Sequence, residues 1–319
     1  GTTMDFTELR HLAEQIETEC GKAIIGKGEQ IRLVLTSLFA GGHVLIDDIP
    51  GVGKTTLVKA LSAVLGCGMV RVQFTPDLLP SDIVGMNIYS QKTGEMVFTP
   101  GPIMTNILLA DEINRATPRT QSALLECMAE GQVTVDGETH PLEKPFVVVA
   151  TQNNVGTAGT QLLPYAQMDR FMARLSVGYP DHDAQMALLK DRLSENPLDA
   201  VSQVLTREEL LAMQAEARAV QTSDALLDYI TRLTMASRDH AEIEVGVSPR
   251  GALLLCQMAK ARAYLLGRDF AVSEDVQAVF EPVCAHRLIP TAKARLSGVC
   301  ATDIARSLLQ SVPNPDYMA

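Results

Sequence analysis

The run Val44-Leu45-Ile46-Asp47-Asp48-Ile49-Pro50-Gly51-Val52-Gly53-Lys54-Thr55-Thr56, followed by the apolar, helix-like Leu57-Val58-Lys59-Ala60-Leu61, constrains this chain more than any other stretch. An aliphatic strand, a glycine-containing bend and a helix start bring backbone N–H groups and a helix dipole onto one anion, as a phosphate-binding loop requires. Pro50, Gly51, Val52 and Gly53 shape the bend, and Thr56 follows in the first helical turn. Lys54 is expected to reach the β- and γ-phosphates of a nucleotide, and the Thr55 hydroxyl to help hold Mg²⁺. The regular G-x-x-x-x-G-K-[ST] spacing is missed by one residue, because Asp48 stands at the first glycine position.

A second motif complements the first. Ile107-Leu108-Leu109-Ala110 runs directly into Asp111-Glu112, which puts two acids at the C-terminal end of a buried strand, where open α/β sheets bind ligands. Asp111 is expected to fix Mg²⁺ and its waters, and Glu112 to polarise the water that attacks the γ-phosphate. The continuous apolar run Phe146–Ala150 reads as a further strand buried on both faces. Strands flanked by helices around a phosphate loop define an α/β core with a parallel sheet.

Helical spacing predicts helices over Thr7 to about Ala23, Lys27 to Ala40 and Pro118 to Glu130. Two hairpins are expected, one over Met86–Tyr89 and Met96–Phe98, the other over Val133–Val135 and Thr139–Leu142. After Tyr179-Pro180 strand-like runs largely cease, and capped helical segments begin at Asp181, Thr206, Ser223, Pro249 and Ser273. The chain thus divides into an α/β core over residues 1–180, with an inserted hairpin, and a smaller all-α domain over 181–319. Ser194 to Ser202 reads as a flexible connection within the latter.

With 319 residues, 46% hydrophobic and 20% charged, the composition describes a packed globular protein and excludes disorder for most of it. A net charge of −11 opposes nonspecific binding to nucleic acid. The six cysteines and six histidines show no metal-type spacing; the histidines are expected at caps or on surfaces. No apolar run is long enough to span a bilayer and the first residues do not form a signal peptide, so a cytoplasmic protein is expected.

These motifs resemble those of the AAA+ ATPases, and specifically the MoxR family within the group that carries a helix-2 insertion. The stretches that carry the resemblance are residues 46–56, Phe98-Thr99-Pro100-Gly101-Pro102-Ile103, residues 110–116 with 120–126, Ala150-Thr151-Gln152-Asn153, Asp169-Arg170-Phe171 and Ser248-Pro249-Arg250. In this family an Asp at the first loop position is acceptable. The resemblance implies an AAA+ core with a helical lid, ATP and Mg²⁺ as ligands, and ATP hydrolysis. It makes Asn153 similar to the sensor-1 residue and Arg250 similar to sensor 2, a lid cation that reaches back to the phosphates. Arg170 resembles an arginine finger offered to a neighbouring subunit; a structural salt bridge is the alternative. Ile24, Ile25 and Gly26 resemble the edge of an adenine pocket, although a core contact explains the isoleucines equally well. Arg115 and Arg119 could contact a neighbour's nucleotide or merely solvate a loop.

By the same resemblance the chain is expected to form a ring, a hexamer, to remodel or mature a client protein, in some cases by metal-cofactor insertion, and to work with a partner that bears a von Willebrand factor A domain. The alternative of a different class is a nucleotide-dependent DNA motor or loader, or a chelatase-like ATPase subunit. No helix-turn-helix or zinc module supports the former, and the acidic balance weighs against it.

Overall fold

A computed structural model describes residues 6–24, 27–48, 53–153, 163–176, 178–179, 181–192 and 196–315. In chain order the elements of the first part are α1 (Phe6–Ala23), α2 (Gly28–Phe39), β1 (Val44–Asp48), α3 (Lys54–Leu65), β2 (Met69–Gln73), α4 (Pro80–Val84), β3 (Gly85–Tyr89), β4 (Met96–Pro100), β5 (Ile107–Asp111), α5 (Pro118–Glu130), β6 (Gln132–Val135), β7 (Glu138–Pro141), β8 (Val147–Asn153), α6 (Tyr165–Met168) and β9 (Ala173–Ser176). The helical part comprises α7 (His182–Arg192), α8 (Arg207–Arg218), α9 (Asp224–Arg238), β10 (Ile243–Val245), α10 (Pro249–Leu265), α11 (Ser273–Cys284), β11 (Ile289–Pro290), α12 (Ala292–Leu296) and α13 (Ala301–Ser311).

Five parallel strands form one sheet in the order β2-β5-β8-β1-β9. Alternation sends Val44, Ile46, Leu109, Val147 and Val149 into a core shared with α2, α3 and the helical part. Leu45, Leu108, Ala110, Val148 and Ala150 enter a second core with Leu124 and Leu125 of α5. The consequence for function lies in the order. Strand β8 separates β1, which leads into the phosphate loop, from β5, which ends on the acidic pair, so the end of β8 faces both motifs.

Both expected hairpins form, as β3–β4 and β6–β7, and they dock on one another. Asn87 Nδ2 donates to Asp136 Oδ2 at 2.9 Å, and the rings of Phe98 and His140 stack with centroids 3.7 Å apart. Met86, Ile88, Tyr89, Met96 and Val97 of the first hairpin remain exposed.

Several expectations need correction. The short edge strand β9 and the two-stranded β10–β11 ladder lie where no strand is expected. The segment expected to be a flexible connection is docked in its described portion: Pro197–Ala200 forms a 3-10 turn, and Ser202 N donates to Glu19 Oε2 at 2.9 Å. Val204 and Leu205 both donate backbone bonds to the Val64 carbonyl of α3. The N-terminal helices also do more than flank the core. Gln214 Nε2 of α8 donates to the Leu38 carbonyl of α2 at 2.8 Å, and Phe39 packs against Tyr264 of α10. Two histidines expected at the surface, His43 and His286, are buried. Each has a backbone partner, which is what makes burial of a neutral imidazole tolerable.

Candidate functional site

Asp111, the last residue of β5, is 1% exposed and gathers the site around its carboxylate. Lys54 Nζ, from the first residue of α3, lies 3.0 Å from Oδ1. Arg71 of β2 reaches Oδ2 with Nη2 at 2.6 Å and Nε at 3.2 Å, and Thr151 of β8 donates to Oδ1 at 2.8 Å. Burial alone would raise the Asp111 pKa; the bonds from Lys54, Thr151 and Arg71 outweigh it and hold the group below its ordinary value. An ionised, buried carboxylate beside the first turn of α3 has the chemistry of a divalent-cation ligand, and Thr55 occupies the second position of that turn.

Glu112 follows in a left-handed conformation, φ 53° and ψ 53°, which is strained for a non-glycine residue and characteristic of functional positions. Its backbone N–H donates to Thr151 Oγ1 at 2.9 Å, so Thr151 bridges both acids. The Glu112 side chain is partly exposed, with Arg115 Nη1 3.5 Å from Oε2. Asn153 closes the arrangement at the end of β8, where its backbone exchanges bonds with the Asn114 amide at 3.4 and 3.3 Å. Lys54, Thr55, Asp111, Glu112 and Asn153 thus converge on the C-terminal edge of the sheet. Thr151, Arg71 and Asn114 join them; sequence reasoning did not single them out, because their roles depend on strand pairing rather than spacing.

The remaining expected residues divide. Gly53 and Thr56 flank Lys54 and Thr55 at the start of α3. Pro50, Gly51, Val52, Ile25 and Gly26 lie outside the described residues. Ile24 is half-buried and packs on the larger core. Nearby, Lys27 Nζ donates to the Gly178 carbonyl at 2.7 Å, joining the chain before α2 to the chain after β9. A cavity of about 620 Å³ opens between β9, α2, α11 and α13, with Asp47, Arg174, Ser176 and Glu281 on its wall. Lys54 and Thr55 do not line it.

Arg170 and Arg250 stand apart from that cluster. Arg170 is exposed in the turn before β9. That turn lies at the N-terminal edge of the sheet, where Met172 N donates to the His43 carbonyl. The edge is one strand length, about 15 Å at ~3.3 Å per residue, from the C-terminal edge. The salt-bridge alternative is not realised for Arg170 among the described residues; the acid beside it, Asp169, pairs with Arg287 at 2.8 Å. Arg250 is exposed at the start of α10, behind the cap made by Ser248 Oγ and Gly251 N. That helix start also abuts Arg287, because a Cβ on Gly251 would lie 3.1 Å from Arg287 Cδ. The start of α10 thus lies beside Arg287, which in turn holds the Arg170 turn through Asp169.

Comparison with known proteins identifies the family. Residues 43–173 match the ATPase family associated with various cellular activities (AAA), and residues 235–306 match the AAA lid domain. The chain is 37% identical to the chaperone MoxR1 of Mycobacterium tuberculosis, over 97% of this chain and 84% of that one. The chain belongs to the MoxR family of AAA+ ATPases. As such it binds nucleotide and hydrolyses ATP. It is also 42% identical to the uncharacterized protein YeaC of Bacillus subtilis, covering 97% of this chain and 96% of the relative. A crystal structure of a candidate ATPase from Cytophaga hutchinsonii superposes with a TM-score of 0.90 at 35% identity, covering 97% of this chain and 96% of that one. Among the described residues no helix is long and apolar enough to cross a membrane.

Proposed function

We propose that this ATPase works as a ring, a hexamer, that converts ATP hydrolysis into remodelling or maturation of a client protein. The observation that carries the ring is the separation of Arg170 from the strand-end cluster. An exposed arginine on the opposite edge of the sheet from Lys54, Asp111 and Glu112 supports a role at a neighbour's site rather than its own. Offered to a neighbour, it completes that neighbour's site, and a heterologous interface repeated around an axis closes a ring. The mycobacterial relative is named a chaperone, which supports a protein client. A partner with a von Willebrand factor A domain, metal-cofactor insertion and a cytoplasmic setting rest on the family resemblance.

Within one site, Lys54 leaves Asp111 to neutralise the phosphates. Asp111 and Thr55 would hold Mg²⁺, which would supply positive charge to offset that of the phosphates. Glu112 orients the attacking water and takes up its proton, while Asn153 aligns that water. The arginine from the next subunit meets charge that develops in the transition state.

Turnover and binding measured on Lys54→Ala, Glu112→Gln and Arg170→Ala test the reading. Lys54→Ala is expected to lose ATP binding, whereas Glu112→Gln keeps binding and stalls hydrolysis. Arg170→Ala is expected to lose on the order of 10³-fold or more in turnover. Mixed with Lys54→Ala, it should recover part of that turnover, because an interface can then pair an intact loop with an intact finger. Full turnover from a monomeric Arg170→Ala protein would reject the shared site.

A further inference from the structure

Arg287, in the turn Ala285–Arg287 after α11, is 2% exposed. Its guanidinium is spent on the segment that carries Arg170. Nε donates to Asp169 Oδ1 at 2.8 Å, and Nη2 donates to the carbonyls of Asp169 and Phe171, both at 2.8 Å. Nη1 reaches the Met172 carbonyl at 3.3 Å and also the Val283 carbonyl near the end of α11. The adjacent His286 adds a contact from Nε2 to the Phe171 carbonyl at 3.0 Å. The aliphatic stem of Arg287 packs on the other side against Gly251, where a Cβ would also lie only 2.6 Å from Val247 Cγ1. A side chain at Gly251 would therefore clash first with Val247 and also crowd the Arg287 stem.

Burying a guanidinium carries a desolvation cost that apolar residues of similar volume avoid. The rigid fork does something such residues cannot, which is to fix several carbonyls of an irregular turn at once. The position of that fork is informative. One side holds Asp169, next to the exposed Arg170, and the other packs on Gly251, next to the exposed Arg250. We propose that Arg287 is a positioning residue that locks the Arg170 turn and the start of α10 into one unit, so that both exposed arginines are presented together to the nucleotide of the neighbouring subunit. The proposal rests on the reading of Arg170 as a shared finger. It adds that a displacement of the lid helix α10 against Arg287 is passed to the finger turn.

The test compares Arg287→Met, Arg287→Lys and Arg170→Ala, each alone and mixed with Lys54→Ala, with assembly followed by light scattering. Arg287→Met is expected to fold, because Asp169 is partly exposed and can be hydrated. It should keep the wild-type KM for ATP while kcat falls on the order of 10- to 100-fold, the scale of a misplaced catalytic group. Arg287→Lys restores the charge opposite Asp169 but not the fork, and should fall between. Mixing Arg287→Met with Lys54→Ala should recover turnover as Arg170→Ala does, since the defect is felt in the neighbour's site; a merely destabilised subunit would not complement. If Arg287→Met fails to fold, Asp169→Asn removes the ion pair alone and leaves the carbonyl bonds in place, so it should lower kcat in the same direction by a smaller factor and recover on mixing with Lys54→Ala. Full kcat in the folded variant, or no recovery in mixed rings where Arg170→Ala does recover, overturns the proposal alone. No recovery for Arg170→Ala in proven mixed rings overturns the shared finger, and the proposal with it.

Discussion

Lys54 Nζ rests 3.0 Å from Oδ1 of Asp111, so the two buried-edge charges neutralise one another. Arg71 shares the same carboxylate. Replacing Asp111 by Asn therefore leaves two cations facing a neutral group, of which Lys54 is the more enclosed. Asp111→Asn is expected to lose the Mg²⁺ dependence of ATP binding and nearly all turnover. Lys54, no longer paired with an ionised Asp111, should retain affinity for nucleotide without metal. Titrations of a fluorescent nucleotide with and without Mg²⁺ separate these effects, and a thermal melt checks that Arg71 tolerates the loss. An unchanged Mg²⁺ response would remove Asp111 from the metal site.

Thr151 is fully buried and joins Asp111 Oδ1 to the Glu112 N–H. Thr151→Val keeps the shape, removes both bonds and leaves a strained Glu112 without its backbone anchor. An unsatisfied buried donor costs about 1–3 kcal/mol. Here the expected outcome is a loss of about tenfold or more in turnover with nearly unchanged ATP affinity, about 1.4 kcal/mol in the barrier. Single-turnover kinetics read the chemical step directly; wild-type rates would show that Glu112 does not depend on this anchor.

Much of this architecture is legible in the sequence because its signals are local. Gly66 and Gly131 end α3 and α5 in the left-handed conformation that their lack of a side chain permits, and Thr206 caps α8 through a reciprocal bond with Glu209. What escapes is set by partners distant in sequence. Arg71 meets Asp111 only because β2 pairs with β5, with Gln73 opposite Asp111. The edge strand β9 has four residues and carries Arg174 in its middle, so neither length nor alternation marks it. That arginine is accommodated by Asp47, 127 positions away in the chain. Burial of His43 depends on an N–H from Val148, 105 positions on.

The β3–β4 hairpin exposes Ile88, Tyr89, Met96 and Val97, while its base is held by the Asn87–Asp136 bond and the Phe98–His140 stack. The tip closes on itself through Ser90 N to the Glu95 carbonyl and Gly94 N to the Ser90 carbonyl. Exposed apolar side chains on a projecting hairpin contribute little to the core, so removing Ser90 to Glu95 should leave the melting temperature and basal ATP turnover nearly unchanged. His140→Ala should instead loosen the two hairpins relative to one another, at a cost of about 0.5–1.5 kcal/mol for the lost ring contact. Amide hydrogen exchange across Met96–Pro100 and Glu138–Pro141 is the direct readout. Loss of soluble protein on tip deletion would instead assign the hairpin a role in folding.

His43 gives the protein a built-in sensitivity to acid. Its Nδ1 accepts the Val148 N–H at 3.0 Å, and its Nε2 lies 3.2 Å from the Met128 carbonyl, an arrangement that suits only the neutral ring with its proton on Nε2. Burial pushes its pKa down to about 4, although the bond to the Met128 carbonyl acts in the opposite direction. Burial and the nearby Arg287 likewise lower His286. Because the folded value lies below the unfolded one, the unfolded chain binds the proton first as pH drops. The stabilising contribution is therefore complete above the ordinary value of 6.5 and is lost progressively toward the folded value of about 4. At about 1.4 kcal/mol per pKa unit, pH 5 should already cost roughly 2 kcal/mol through His43. Asp111, lowered below its ordinary 3.8, contributes to acid lability only under more acidic conditions, so the two windows separate. Urea unfolding at pH 7.5 and pH 5 should show a large loss for the wild-type chain. His43→Gln should be less stable at pH 7.5 yet lose less on acidification. Equal losses in both proteins would mean that His43 is not the group that takes up the proton.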